Sequence, residues 1–330
     1  MLVENQQSAR AICPMRAGLP WKIQADISLI HIAEEKSLKR RLIYAAVVLP
    51  RAGLANQLFV WARAAKFCLG HDTRLLNPVF TKPHIGPILR GEKDFRFYIG
   101  LFRTVGAREI SGLKKLWVKL VSRRMSKEHW DSISPDSSSV RPRLVVFRRT
   151  TENFNEINGC HRELGIWLHE MTHPRWLESY SEVGEILVGM HVRLGDFSGS
   201  IRHPISWYVD AVQFVHSIAG VVPVSVFSDG SDSELIELLS LPGVTVVRTG
   251  SAISDLLALS RSQFLIGTGT STFSAWAAFL GQMPAFTRLG NSFSSFGLEN
   301  TENKFVGEWD PRSPDAHLLV ELSRLENSGL

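Results

Sequence analysis

Cysteine is scarce in this chain: three residues in 330, Cys13, Cys68 and Cys160. They are odd in number, far apart and without metal-ligand spacing, which excludes a disulfide scaffold and a cysteine-built zinc site and suits a reducing compartment. Cys68 lies in an apolar helical run and is expected in the core. No apolar run approaches the roughly 18–20 residues of a membrane span. The opening Met1-Leu2-Val3-Glu4-Asn5 lacks the charged start and apolar segment of a secretory signal, so a cytoplasmic protein is expected. No Asp-x-Asp metal motif occurs, and no Gly-Lys-Ser/Thr follows a glycine-rich loop, which excludes a Walker site. His161, His169 and His173 bring no completing carboxylate, so no metal is expected.

What is present is an ordinary globular composition, 44% hydrophobic and 21% charged, with a net charge of +5. The positive excess is clustered at Lys39–Arg41, Lys114–Arg124 and Arg141–Arg149. Few aromatics interleave, so a single-strand nucleic-acid groove is not indicated and no nucleic-acid partner is expected. Gly112–Met125 reads as a basic amphipathic helix, with Leu113, Leu116, Trp117, Leu120 and Val121 on one side. Packing of that face on a sheet is the expected arrangement; peripheral contact with an anionic membrane face is the other use of such a pattern.

Strand and helix alternate along the chain. Leu42–Leu49 reads as a buried strand ended by Pro50. A helix follows from Leu54 to Leu69, with Leu54, Leu58, Trp61, Ala62, Ala65 and Leu69 on one face and Gly70 as its cap. Arg74–Leu76 and Arg143–Arg148 read as short strands, and residues 150–182 as irregular. Glu185–Arg193 is a strand, Ser206–Ala219 a helix and Val222–Phe227 a strand. Ser231 or Asp232 caps a helix running to Leu239. Strands at Val244–Val247 and Phe264–Ile266 alternate with helices at Ser254–Ser260 and Phe273–Leu280, before a final short strand at Ala285–Phe286. The fold class expected is α/β with two Rossmann-like domains: a 1–40 extension, a first domain at 41–182 and a second at 183–330.

Chemistry concentrates at Gly189-Met190-His191-Val192-Arg193-Leu194-Gly195-Asp196-Phe197. An Arg, a His and an Asp fall within six residues at a strand's C-terminal end, where open α/β sheets bind ligands. An Arg there suits a phosphate, because its planar fork makes paired charge-assisted bonds. A surface turn with an Arg–Asp ion pair is the ordinary alternative. The loop Gly267-Thr268-Gly269-Thr270-Ser271-Thr272 opens onto a helix, whose N–H groups and dipole favour an anion.

The pattern His191-Val192-Arg193-x-Gly195-Asp196-aromatic resembles the first signature of fucosyltransferases that use GDP-fucose: the α-1,2 and α-1,6 families and their protein-O-fucosylating relatives. Ala52-Gly53-Leu54-Ala55-Asn56-Gln57-Leu58-Phe59-Val60-Trp61-Ala62 is similar to the family's opening motif, and Asp255–Leu280 to its last. Phe227-Ser228-Asp229 and His203-Pro204-Ile205 with Tyr208 resemble intermediate pieces. The five pieces stand in family order over residues 42–287. The chain departs from the pattern at Thr270, Ala275 and Gly230, and Phe197–Arg202 holds no counterpart of the α-1,6 glutamate base.

The resemblance implies a GT-B-type fold and an inverting, metal-independent transfer of fucose from GDP-fucose to a glycan hydroxyl, with no cofactor beyond the donor substrate. Two alternatives stand: a transferase for another nucleotide sugar, and a non-catalytic sugar-nucleotide or glycan-binding protein. Arg193 would stabilise the departing diphosphate, with Asp196 and His203 as the nearest candidates for the base. Asp255 would contact the guanine base and His191 the base or ribose, and Asp229 would orient Arg193 or touch the donor. Asn56, Thr270, Ser271, Thr272, Phe273 and Ser274 complete the expected donor contacts. Asn56 and Asp255 also have ordinary uses at helix starts, as does the Gly267–Thr272 loop.

Overall fold

The computed structural model describes residues 43–80, 98–133, 141–148, 153–195, 202–298, 300, 306–313 and 316–326. The expected 1–40 extension, Asp196 and most of the Phe197–Arg202 interval lie outside them. Residues Ile43–Leu330 form one compact unit.

Two parallel sheets organise this unit, confirming the α/β class. The first has the order β3-β2-β1-β5-β4. Its strands are β1 (Ile43–Val47), β2 (Arg74–Leu76), β3 (Glu109–Ile110), β4 (Arg123–Ser126) and β5 (Arg143–Phe147). The second has the order β11-β10-β9-β6-β7-β8. It comprises β6 (Val188–Val192), β7 (Val224–Ser228), β8 (Val244–Val246), β9 (Phe264–Gly267), β10 (Ala285–Arg288) and β11 (Val306–Trp309). Numbered from β6, that order is 3-2-1-4-5-6, the doubly wound arrangement, with its switch point between β6 and β9.

The helices are α1 (Leu54–His71), α2 (Gly112–Val121), α3 (Lys127–Ser132), α4 (His161–Met171) and α5 (Pro174–Glu182). The second half adds α6 (Ile205–Ala219), α7 (Ile236–Leu239), α8 (Ala252–Leu259), α9 (Thr272–Gly281) and α10 (Ala316–Glu326). Helix α1 is buried nearly all round because it packs on β1 and also against α4 and α9. Phe59 meets Trp276 at 5.1 Å and Phe154 at 4.7 Å, and Phe154 stacks on Phe279 at 4.5 Å. One core therefore runs from β1 and α1 through to α8 and α9. The opposite face of the second sheet holds a separate core, in which Val188, Met190 and Val192 pack against α6.

Several elements differ from the sequence expectation. Gly70 lies inside α1; the cap is Asp72, in the left-handed region at φ 48°, with its N–H on the Cys68 carbonyl. Asp tolerates that conformation better than most residues. Leu69, expected on the buried face, is exposed. Ser231 and Asp232 do not cap a helix. They begin a turn in which Glu234 accepts from the Ser231 N–H, and α7 starts only at Ile236. The region 150–182 is not irregular: it holds α4 and α5, separated by Thr172–His173 and restarted by Pro174, which needs no N–H at a first helical position. Ala285–Phe286 is not the last strand, since β11 pairs beyond it.

The largest departure is at α2. It stops at Val121, and Arg123–Ser126 leaves it to pair with β5. The helix buries Val118 alone and turns Leu113, Leu116, Trp117 and Leu120 outward. The expected packing of that apolar face on the sheet does not occur. Among the described residues no helix is long and apolar enough to cross a membrane.

Candidate functional site

Period-two alternation divides β6 between the two sides of its sheet. Val188, Met190 and Val192 enter the α6-side core, so His191 points to the side covered by α9. There its ring stacks on Phe273 at 4.9 Å, and its Nδ1 lies 2.6 Å from the Ser274 hydroxyl. Ser274 already accepts from the Thr268 N–H at 3.1 Å. Ser274 thus links the Thr268 backbone to the His191 ring. Burial, with the Arg193 charge adding to it, lowers the His191 pKa to about 3, so the ring is neutral near pH 7.

At the carboxyl end of β6 the chain turns outward. Arg193 Nη1 meets Asp229 Oδ2 at 2.7 Å. Register explains the meeting: Val192 pairs with Ser228 across β6 and β7, so the next residues, Arg193 and Asp229, emerge side by side. The Asp229 carboxylate also accepts from the Leu194 N–H at 2.8 Å and the Gly195 N–H at 3.2 Å. A Cβ at Gly195 would press into that carboxylate, so glycine permits the close approach. Asp229 thus fixes both the Arg193 fork and the turn carrying it. The two side chains are 23% and 29% exposed, open enough for a ligand to reach.

Thr268, one residue past β9, ties the two strands at the switch point. Its hydroxyl donates to the His191 carbonyl at 3.0 Å and accepts from the Arg193 N–H at 3.3 Å. Tyr208 of α6 lies 2.7 Å away. With the single Thr268 proton committed to His191, Tyr208 is the donor, and the hydroxyl's one donor and two acceptor positions are filled. Desolvation raises the Tyr208 pKa, so the phenol stays protonated to make this bond. Neither residue was singled out for the site by sequence reasoning. Both stood inside quoted motifs, yet which side chains close on one another depends on strand register.

Beyond Thr268 the backbone closes onto α9. Gly269 passes so near the Asn291 carbonyl oxygen that any Cβ would overlap it. The Thr270 hydroxyl is buried with no hydrogen-bond partner in the protein. Ser271 is the N-cap of α9 but makes no side-chain capping bond, and Thr272 begins the helix. The hydroxyls of this loop are therefore not all consumed by capping, and α9's N-terminal dipole points toward the same end of the sheet as Arg193.

The other expected residues are more dispersed. Asp255, in the first turn of α8, accepts at Oδ1 from the Thr249 N–H and hydroxyl, at 3.1 and 2.7 Å. Ser251 caps that helix, so Asp255 is not its cap. Helix α8 follows β8 and packs back against α5, α9 and β6, on the same face of the second sheet as α9. Asn56 sits in the first turn of α1, beyond the α1–α9 contact, and its Oδ1 is buried without a partner. The neighbouring Gln57 amide is tied to the Ala52 carbonyl. His203 is buried beside Trp207 and Tyr208, with Nε2 unpartnered. Desolvation, then the nearby Arg288 charge, lowers its pKa to about 4. Among the described residues no three His, Cys, Asp or Glu side chains gather as a metal site.

No protein-family model matches the chain, and no curated protein matches it in sequence. Among solved structures it is similar to POFUT1 in complex with GDP, at 12% identity and a TM-score of 0.45, over 78% of this chain and 98% of that one. It is also similar to a variant of FUT1 from Arabidopsis thaliana in complex with GDP, at 14% identity and 0.45, covering 85% and 79%. A third is the fucosyltransferase NodZ from Bradyrhizobium, at 16% identity and 0.43, covering 72% and 92%.

Proposed function

We propose that the chain is an inverting glycosyltransferase that moves fucose from GDP-fucose to a glycan hydroxyl. One observation carries the reading. Arg193 is fixed by Asp229 at the switch point of a doubly wound sheet, next to a hydroxyl-rich loop that opens onto a helix N-terminus. That is a positive, donor-rich cradle for a diphosphate. The sequence motifs of the GDP-fucose enzymes fall on the same residues.

In the proposed reaction the sugar's anomeric carbon–oxygen bond to the diphosphate breaks as the acceptor oxygen approaches from the opposite face. Charge builds on the leaving diphosphate, where the Arg193 guanidinium and the α9 N-terminus are already oriented. This field would serve in place of a divalent cation. The acceptor hydroxyl gives up its proton as the new bond forms. Of the two candidate bases, Asp196 and His203, His203 has an unpartnered nitrogen, but burial and a pKa lowered to about 4 make it a weak acceptor of that proton. The sequence resemblance to the GDP-fucose enzymes assigns Asp255 to the guanine base. Its carboxylate would accept from the guanine N1 and N2 donors, which adenine lacks.

Thermal shift with GDP, UDP, ADP and CMP tests the donor. GDP should stabilise most, and Asp255→Asn should narrow its margin over UDP and ADP by about tenfold in affinity, as for loss of a charged hydrogen bond. Equal stabilisation by all three diphosphates would remove the guanine assignment.

A second reading, a non-catalytic GDP-sugar-binding module, is favoured by one feature: Phe197–Arg202 lacks a carboxylate. Donor hydrolysis separates the two. A transferase slowly releases fucose from GDP-fucose without acceptor, whereas a binding module holds the donor intact.

A further inference from the structure

Helix α2 is amphipathic in the reverse of the usual sense. Leu113 is 84% exposed, Leu116 63%, Trp117 56% and Leu120 85%. At about 100° per residue these four occupy one continuous stripe. Val118 and Lys115 occupy the sheet-facing side: Val118 is fully buried, and Lys115 donates to the Asn77 carbonyl at 2.6 Å. The helix is thus held on the protein by its other face, with its apolar stripe turned outward.

Charge surrounds the stripe in one sign. Lys114 and Lys119 flank it on either side and are exposed, and Arg123 and Arg124 are exposed just past the helix end. From Ile110 to Lys127 the sequence contains six basic residues and no acidic one. The nearest acids along the sequence are Glu109, which is buried, and Glu128 and Asp131, of which Asp131 is paired with Lys127. An ordinary solvent-facing helix would mix signs and bear few large apolar groups. A protein partner with an apolar groove would match the leucines but would not call for an unbroken cationic rim.

We infer that α2, with its basic rim, is a docking surface for an anionic lipid bilayer. Trp117 and the leucines would enter the headgroup–acyl boundary, where an indole is well accommodated. The two flanking lysines would reach up to the lipid phosphates along their own apolar stems. The cationic rim is what selects an anionic surface. The inference rests on α2 alone and is independent of the donor and of the reaction.

Sedimentation of the full chain with vesicles tests it, using phosphatidylcholine alone or with about 30% phosphatidylserine. The protein should pellet with the anionic vesicles and much less with the neutral ones. Lys114→Gln with Lys119→Gln should weaken binding roughly 20-fold, and Leu116→Ser with Leu120→Ser by at least 10-fold. All four positions are exposed, so melting temperature should hold in both variants. Vesicle addition should shift the tryptophan emission to the blue, and Trp117→Phe should remove that shift. Failure to pellet with anionic vesicles, or unchanged binding by the leucine variant, overturns the inference. So does light scattering that shows an oligomer dispersed by the leucine variant without vesicle binding, which would assign the stripe to a second copy of the chain.

Discussion

At the scale of single residues, Arg193 concentrates the functional argument. Its guanidinium is oriented by Asp229 and its backbone N–H by Thr268, so both its position and its direction are set before any ligand arrives. Arg193→Lys keeps the charge and loses the planar fork, which is not a conservative change at a diphosphate. Transfer should fall by about 10²-fold or more. The side chain is partly exposed and lies past the end of β6, so circular dichroism and melting temperature should stay near wild type. Near-native kcat in a folded Arg193→Lys protein would remove the role given to this residue. The Arg193–Asp229 pairing itself was half legible in the sequence: both residues could be placed at strand ends. That the strands are neighbours in matching register became visible only in three dimensions. The same limit hid Thr268 and Tyr208, because a hydroxyl in a motif does not declare which carbonyl it will meet.

At the scale of elements, buried strands and their glycine turns were legible because a parallel sheet covered on both faces demands continuous apolar runs. β1, β6, β7 and β9 lie where those runs are. The two-residue β3 and the outlying β11 were not legible, since an edge strand this short carries little pattern. Helix α2 shows the opposite failure. Its amphipathic period was read correctly, but period does not say which side faces the protein. The connection from β9 to α9 also depends on a contact that no local pattern reveals: Gly269 against the Asn291 backbone. Gly269→Ala should cost about 3 kcal/mol, because the obstacle is a carbonyl rather than a side chain that can swing away. Gly165→Ala, in the middle of α4 with only ordinary contact to Leu280, is the control and should be neutral or stabilising by up to about 1 kcal/mol. Chemical denaturation of the two variants compares them directly. If Gly269→Ala is as stable as the control, the tight passage of this loop is not what holds the cradle in place.

At the scale of the whole molecule, two neutral histidines are built into the second half, and they couple its stability to pH. His191 lies between β6 and α9, and His203 lies under α6. Burial lowers their pKa values to about 3 and about 4, from an ordinary value of 6.5. Above pH 6.5 both states of the protein carry neutral rings, and the histidines exert no pH-dependent effect. As pH falls below 6.5 the unfolded chain binds protons that the folded protein refuses, so stability declines with pH. The decline continues until each folded pKa is reached, near 4 for His203 and near 3 for His191. At pH 5 each ring should cost about 2 kcal/mol relative to pH 8. Melting temperature should therefore drop between pH 7 and pH 5, a window in which few native carboxylates have begun to protonate. His203→Gln removes one titrating group and should roughly halve the slope, even if the variant starts from a lower melting temperature at pH 8. An unchanged slope in His203→Gln would mean that this ring is protonated as readily in the folded protein as in the unfolded one. The burial of a neutral imidazole at this position would then be excluded together with its stability effect.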